Sequence, residues 1–179
     1  MKHMPVLCAT ALALSGCIDA EMSARIDSDA FVEAALTLTA TPQSYDFMTE
    51  ESDPCDNEWV FDGRNYICAF TLQGTLDDIG RSEAPGTHMF QFTREGQNRV
   101  RVTLDLDVPD TTPQDDAAMI AHMVAGHAIT FRFSAVNVVE HIGGTLADDD
   151  STVLWRIPLS WMILADQRLQ DERTALLEF

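Results

Sequence analysis

Alternation of apolar and polar residues is the dominant pattern along this chain, and it predicts strands with one buried face. The segments that show this alternation, or that are continuously apolar, are 18–26, 32–40, 65–72, 90–92, 100–106, 129–133, 136–142 and 153–157. An acidic turn, Asp27-Ser28-Asp29, joins the first two segments, and the glycine-containing turn Arg94–Asn98 joins 90–92 to 100–106. Both junctions predict β-hairpins.

Spacings of three and four residues between apolar positions predict a smaller number of helices. The best-marked helix begins after the cap and proline Thr112-Pro113 and ends at Gly126. The other predicted helices are 42–51, 76–79 and 160–177. Within the last of these, 175–179 also fits an extended segment. The order of elements predicts one α+β domain, built from an antiparallel β-sheet with helices packed on one face.

The first 16 residues have the pattern of a signal peptide. A basic Lys2 precedes an apolar run, 5–14, that is shorter than the about 20 residues a membrane-spanning helix needs. The run leads into Leu14-Ser15-Gly16-Cys17, which resembles the lipobox of bacterial lipoproteins. We therefore expect cleavage before Cys17 and attachment of a diacylglyceryl group and a further fatty acid, such as palmitate, to that residue. A buried or disulfide-bonded Cys17 is the alternative.

Lipid on Cys17 would make the membrane a partner of the mature domain, 17–179, and would place it in the cell envelope. After residue 17 no segment has 18 uninterrupted apolar residues, so attachment through lipid is expected rather than through a helix. Ile18 stands where an Asp often retains lipoproteins in the inner membrane. In a Gram-negative host this favours the outer membrane, facing the periplasm. Because the first strand is predicted from residue 18, the domain should lie close to the membrane.

Two cysteines, Cys55 and Cys68, remain once the leader is removed and Cys17 carries lipid. Secretion favours a disulfide between them, which gives a cystine loop near 55–68. Such a bridge would stabilise the fold by about 3 kcal/mol in the chain-entropy model. A metal site is the alternative, and it would need two further ligands from the acidic residues of the loop.

The charge of the chain excludes some partners. It has 29 acidic against 11 basic residues and a formal net charge of −18, so nucleic-acid binding is not expected. The sequence contains no Gly-x-Ser-x-Gly elbow and no His-Glu-x-x-His helix. His122 and His127 are five residues apart across a helix end, which does not suit a shared metal ion. Asp148-Asp149-Asp150 reads as a solvated turn, with calcium binding as the alternative. We expect no cofactor and no metal site.

The chain resembles the LppM-like lipoprotein domain of bacterial envelope lipoproteins, in which the lipobox leads directly into a hairpin with an acidic turn. The matching stretches are 16–29, 126–133, 138–140 and 153–155. The turn departs from the usual asparagine and glycine, having Ser28-Asp29-Ala30. The resemblance implies an envelope domain without recognised enzymatic residues and with lipid or glycolipid as a candidate ligand.

Together these patterns predict a non-enzymatic bacterial envelope lipoprotein that acts as a binding or assembly module, with another envelope protein as a candidate partner. The alternative is a carrier or sensor of an apolar ligand such as a lipid or glycolipid. Methionine packs adaptably around apolar shapes, so the helix residues Met119 and Met123, expected to face inward, are candidate ligand contacts. The opposing sheet residues are Phe131, Phe133 and Trp155. An ordinary core explains the same five side chains.

Overall fold

The structure, a computed structural model, describes residues 18–51, 55, 58–82, 89–106 and 114–179. The expected leader, Cys17 and the predicted helix start at Thr112-Pro113 lie outside these ranges. The described strands are β1 Ile18–Ile26, β2 Phe31–Ala40, β3 Val60–Phe61, β4 Tyr66–Thr75, β5 Phe90–Arg94, β6 Arg99–Leu104, β7 Ala128–Ser134, β8 Asn137–Ile142, β9 Thr145–Leu146, β10 Thr152–Pro158 and β11 Thr174–Glu178. The described α-helices are α1 Pro42–Glu51, α2 Leu76–Gly80, α3 Gln114–Met123 and α4 Leu159–Ile163, and a 3-10 helix covers Gln167–Gln170.

The strands form two sheets, not the single antiparallel sheet predicted from the sequence. The larger sheet has seven strands in the order β3-β4-β2-β1-β7-β10-β9. Its central pair, β1 and β7, is parallel, while the other neighbours run antiparallel. The smaller sheet is antiparallel, with the order β5-β6-β11-β8. The predicted α+β class holds in the form of a mainly β domain with few helices.

The first hairpin shows why an acidic turn follows β1. The Asp27 carboxylate accepts hydrogen bonds at 2.9 Å from the backbone N–H groups of Asp29 and Phe31. This side chain replaces backbone partners that the turn would otherwise leave unpaired. Ala30 completes the turn with a φ of +61°, in the left-handed region. Both predicted hairpins, β1–β2 and β5–β6, are present.

The C-terminal segment is not the long helix predicted over 160–177. Helix α4 ends at Ile163 and the chain returns as β11, the strand between β6 and β8 in the smaller sheet. The buried guanidinium of Arg173 donates hydrogen bonds to the carbonyl oxygens of Arg168, Leu169 and Asp171, which fixes the bend before β11. Burial lowers the pKa of Arg173. Residues 175–177 are apolar and all buried, and such a continuous apolar run has no period that separates strand from helix.

The hydrophobic core lies between the two sheets rather than between a sheet and helices. It contains side chains from both inner sheet faces. Those of the larger sheet include Met22, Ile26, Phe131, Phe133 and Trp155, and those of the smaller sheet include Phe90, Val100, Val102, Ala175 and Leu177. Helix α3 contacts α4 instead of covering a sheet face. Among the described residues, no helix combines the length and apolarity needed to cross a bilayer.

Gly144 provides a test of this packing. A Cβ atom at this position would lie 2.8 Å from Val153 Cγ2 and 2.9 Å from Trp155 Nε1. Trp155 cannot move away freely, because its indole N–H donates to the Ile142 carbonyl at 3.0 Å. We expect Gly144→Ala to lower the free energy of unfolding by about 1–3 kcal/mol, as overpacking does.

The matched control is Gly80→Ala, where an added Cβ meets no atom within 4 Å and φ is not positive. Alanine also favours a helix over glycine by up to about 1 kcal/mol, so this variant should be unchanged or more stable. Urea unfolding of the two variants measures the difference. Equal stability of the two variants would contradict the packing at Gly144.

Candidate functional site

The three aromatic residues predicted to contact a ligand lie in the core between the sheets. Phe131 and Phe133 have no exposed surface and Trp155 is 1% exposed. The ring of Phe133 lies 5.5 Å, between centroids, from both Phe90 and Trp155. A side chain without accessible surface does not border a space large enough for a water molecule. These aromatic side chains therefore fill the core in this structure.

The two methionines predicted to face the same ligand lie on α3. Met119 is 53% exposed, so the prediction that it faces inward is wrong. Met123 is partly buried. Helix α3 packs against α4 near the end of the sheet, and the helical period does not say which neighbour its apolar side meets. The structure therefore does not bring the five predicted ligand residues together around one cavity.

Cys55 and Cys68 are joined by a disulfide, with their Cα atoms 6.2 Å apart. This is the pairing predicted from the sequence. Both residues are buried, and Cys68 lies on β4 opposite Leu38 of β2. The bridge therefore fixes the loop before β3 to the inner face of the larger sheet.

An aromatic cluster lies beside this disulfide and consists of Tyr45, Trp59, Phe61 and Tyr66. The rings of Tyr45 and Tyr66 are stacked at 3.8 Å between centroids. Trp59 packs edge-on against Tyr45 at 5.6 Å, and Phe61 lies 5.0 Å from Tyr66. The sequence shows these residues but not that helix α1 and strands β3 and β4 bring them together.

The outer face of the larger sheet, pointing away from the core, is open to solvent. Apart from Phe31 and Ile67, its outward residues on β1, β2, β4 and β7 are small, polar or charged, and all except Ala128 are at least partly exposed. A cleft of about 390 Å³ crosses this face beside Ser23, Arg25, Glu33 and Thr71. Arg132, also at the cleft, pairs with Glu21 at 3.2 Å. This outer face has room and polar groups for a partner.

The inner face of the larger sheet is only partly covered at β2 and β4. Leu36, Leu38, Phe70 and Leu72 point to the core side but are only partly buried. Leu36 and Phe70 are direct cross-strand neighbours, and we call these four residues the inner strip. The sequence analysis did not predict the inner strip. Alternation places these residues on the same face as the core, but it does not show that the opposite sheet covers them only in part.

A second cleft, of about 400 Å³, is polar and lies beside the segment 165–173 and the end of β6. At its wall, hydrogen bonds from Arg168 lower the pKa of Asp166 to about 2. Asp166 therefore stays charged and paired at neutral pH. The His127 ring lies 3.2 Å from the Asp19 carboxylate, and the described residues contain no group of three or more metal-binding side chains.

Comparisons with known proteins give one structural likeness. No family model and no curated protein sequence matches the chain. The NMR structure of the folded domain of the LppM protein from Mycobacterium tuberculosis is similar, with a TM-score of 0.52 over 90% of this chain and 90% of that chain. The sequence identity is 13%, so the likeness concerns the fold alone. It supports the sequence resemblance to the LppM-like domain at that level.

Substitutions at Phe133 and Met119 separate the core from the predicted ligand site. Phe133→Ala should lower the free energy of unfolding by about 3–5 kcal/mol, because it opens a cavity in a filled core. Met119→Ala should change it by no more than about 0.5 kcal/mol, because the side chain is exposed. Chemical denaturation measures both values. A small cost at Phe133 would indicate a cavity already present beside it.

Proposed function

We propose that this protein is a bacterial cell-envelope lipoprotein, anchored by lipid on Cys17, that acts as a non-enzymatic binding or assembly module. The observation that carries the proposal is the start of β1 at Ile18, the residue directly after the lipobox-like segment. β1 is the middle strand of the larger sheet. Lipid on Cys17 would therefore be joined covalently to the centre of the fold. The fold likeness to the LppM domain supports this reading.

The outer face of the larger sheet is the surface we propose for a protein partner. It carries paired charges of both signs, such as Arg132 and Glu21, on a background of small residues. Exposed ion pairs of this kind contribute little to the stability of the fold, so their side chains can form ion pairs with charged residues of a partner instead. Another envelope protein fits this surface better than nucleic acid, because the chain is strongly acidic. For a Gram-negative host, Ile18 supports attachment to the outer membrane on its periplasmic side.

Metabolic labelling with a tagged fatty acid tests the anchor. The wild-type protein should incorporate the label, and Cys17→Ser should not, because the thiol is the attachment atom. Cys17→Ser should also accumulate as the longer precursor, which electrophoresis detects. Cys8→Ser is the matched control, since Cys8 lies in the expected leader and its loss should leave labelling intact. Label on Cys17→Ser at the wild-type level would contradict the anchor.

A second candidate function is a carrier or sensor of an apolar ligand, and the inner strip favours it. Apolar side chains that stay partly exposed on the core side of a sheet gain stability when an acyl chain covers them, at about 25 cal/mol per Å² of apolar surface buried. The inner strip replaces the site predicted at Met119 and Met123, where the structure does not assemble a cavity. Lipid or glycolipid remains the ligand class.

Titration of the domain from residue 18 onward with an environment-sensitive fluorescent fatty acid tests the carrier. Saturable binding is expected, and Leu36→Asn should weaken it about tenfold, equivalent to about 1.4 kcal/mol. Met119→Ala should leave the affinity unchanged, because Met119 lies outside the inner strip. Loss of binding in Met119→Ala alone would restore the site predicted from the sequence. No saturable binding would remove the carrier.

A further inference from the structure

The end of the larger sheet at which β1 begins can be traced through the strand register. Ile18 pairs with Ala40 of β2, Ala40 pairs with Tyr66 of β4, and Tyr66 pairs with Phe61 of β3. On the other side, the start of β1 lies beside the start of β7, which pairs with the end of β10. We call this edge of the sheet the anchor end.

Exposed apolar side chains lie on both sides of Ile18 at the anchor end. On one side are Val60, 67% exposed, and Phe61, 51% exposed, both on β3. On the other side are Met119 of α3 and Leu164 at the end of α4, which are about half exposed. The two helices belong to this end because α3 leads into β7, α4 follows β10, and the Leu159 N–H donates to the His127 carbonyl at 2.9 Å.

Amphipathic aromatic residues accompany these apolar side chains. In the aromatic cluster, the partly exposed Tyr66 contacts Phe61, and the partly exposed Trp59 packs on Tyr45, which stacks on Tyr66. On the opposite side, Trp161 of α4 is partly exposed and lies under the guanidinium of Arg168, 4.1 Å from the ring centroid. Tryptophan and tyrosine are enriched at the boundary between lipid headgroups and acyl chains, because one part of the ring system is apolar and another is polar.

Carboxylates lie at both ends of the sheet, and those at the far end are concentrated in two turns. The acidic turns at 27–29 and 148–150 both lie at the far end, where β1 stops and β10 starts. At the anchor end, Asp19 is held by His127 and by the Ala128 N–H, while Asp62 accepts hydrogen bonds from backbone N–H groups of its own turn. Charge therefore does not choose between the two ends, and the orientation rests on the apolar and aromatic side chains of the anchor end.

The short distance between Cys17 and β1 limits how far the domain can move from the membrane. The Cα atoms of consecutive residues are about 3.8 Å apart, so Cys17 is held within that distance of Ile18. A domain on a long flexible linker can rise from the membrane, because the linker reaches further as it lengthens. Here the sheet itself begins one residue after the acylated position. Acyl chains buried in the bilayer would therefore hold the anchor end at the headgroup level.

We propose that the anchor end is a membrane-contact surface that lies in the headgroup region of the leaflet holding the lipid of Cys17. Val60 and Phe61 enter it on one side of the anchor, and Met119 and Leu164 enter it on the other. The far end, with its acidic turns, points away from the bilayer and leaves the outer face of the sheet accessible. This proposal rests on the lipid anchor proposed above.

Brominated lipids, which quench tryptophan fluorescence on contact, test the proposal with the full-length lipoprotein. The protein is reconstituted in phosphatidylcholine vesicles with and without brominated acyl chains, and flotation establishes that it is bound. The chain has three tryptophans, of which Trp155 is buried in the core and serves as an internal reference. We expect brominated lipid to remove the Trp59 and Trp161 contributions and to leave that of Trp155. Trp59→Phe and Trp161→Phe assign each contribution.

Two glutamate substitutions provide a matched pair. Phe61→Glu places a charge at the anchor end, and Val136→Glu places one at the far end, on a residue that is 65% exposed. Phe61→Glu should reduce the quenching of Trp59, and Val136→Glu should leave it at the wild-type level.

The outcomes separate the anchor from the orientation. Flotation with quenching that is sensitive to Phe61→Glu supports both. Flotation without quenching, or with quenching that Phe61→Glu does not change, overturns the membrane-contact surface while the anchor stands. Such a result would assign the exposed apolar side chains to a protein partner instead. Loss of flotation overturns the anchor and this orientation together.

Discussion

The parallel pairing of β1 with β7 is the contact on which the rest of this fold depends. It joins the N-terminal hairpin, with β3 and β4 beside it, to the strands β7, β10 and β9. It also sets Met22 beside Phe131 and Ala24 beside Phe133, so that both groups of strands contribute to one core. Without this pairing the larger sheet would divide into a four-stranded and a three-stranded piece. Each would leave its apolar face largely uncovered.

The smaller sheet closes that core, and its own order explains the location of the helices. β11 pairs with both β6 and β8, so this C-terminal strand lies between two strands that precede it in the sequence. Gly144, between β8 of the smaller sheet and β9 of the larger, approaches Trp155 closely, and the buried Arg173 fixes the bend before β11. Because sheet covers sheet, α3 and α4 pack against each other at the anchor end. The outer face of the larger sheet consequently remains open.

This arrangement separates three surfaces that an anchored binding module would use. The anchor end carries apolar and aromatic side chains around Ile18, the far end carries acidic turns, and the outer face lies between them. A lipid joined directly to the central strand would fix the orientation of the outer face relative to the membrane. A flexible linker would not, because it decouples the orientation of a domain from its attachment.

The sequence alone predicted the features that depend on local residue patterns. Alternation identified both hairpins, the acidic residues marked the first turn, and the two remaining cysteines predicted the disulfide. Each of these features depends on residues close together in the chain or on a single pairing choice. The lipobox-like segment predicts the anchor from residues equally close together, and that prediction lies outside the described residues.

Only the tertiary structure decided which strands become neighbours and which apolar faces remain exposed. The β1–β7 and β6–β11 pairings join residues more than 70 positions apart, and no local period encodes them. The same holds for Met119. Its helical spacing predicted that it faces inward, but α3 packs against α4 at the end of the sheet and leaves Met119 exposed. An amphipathic pattern predicts that one face of a helix packs against apolar residues, but the whole fold determines which residues these are.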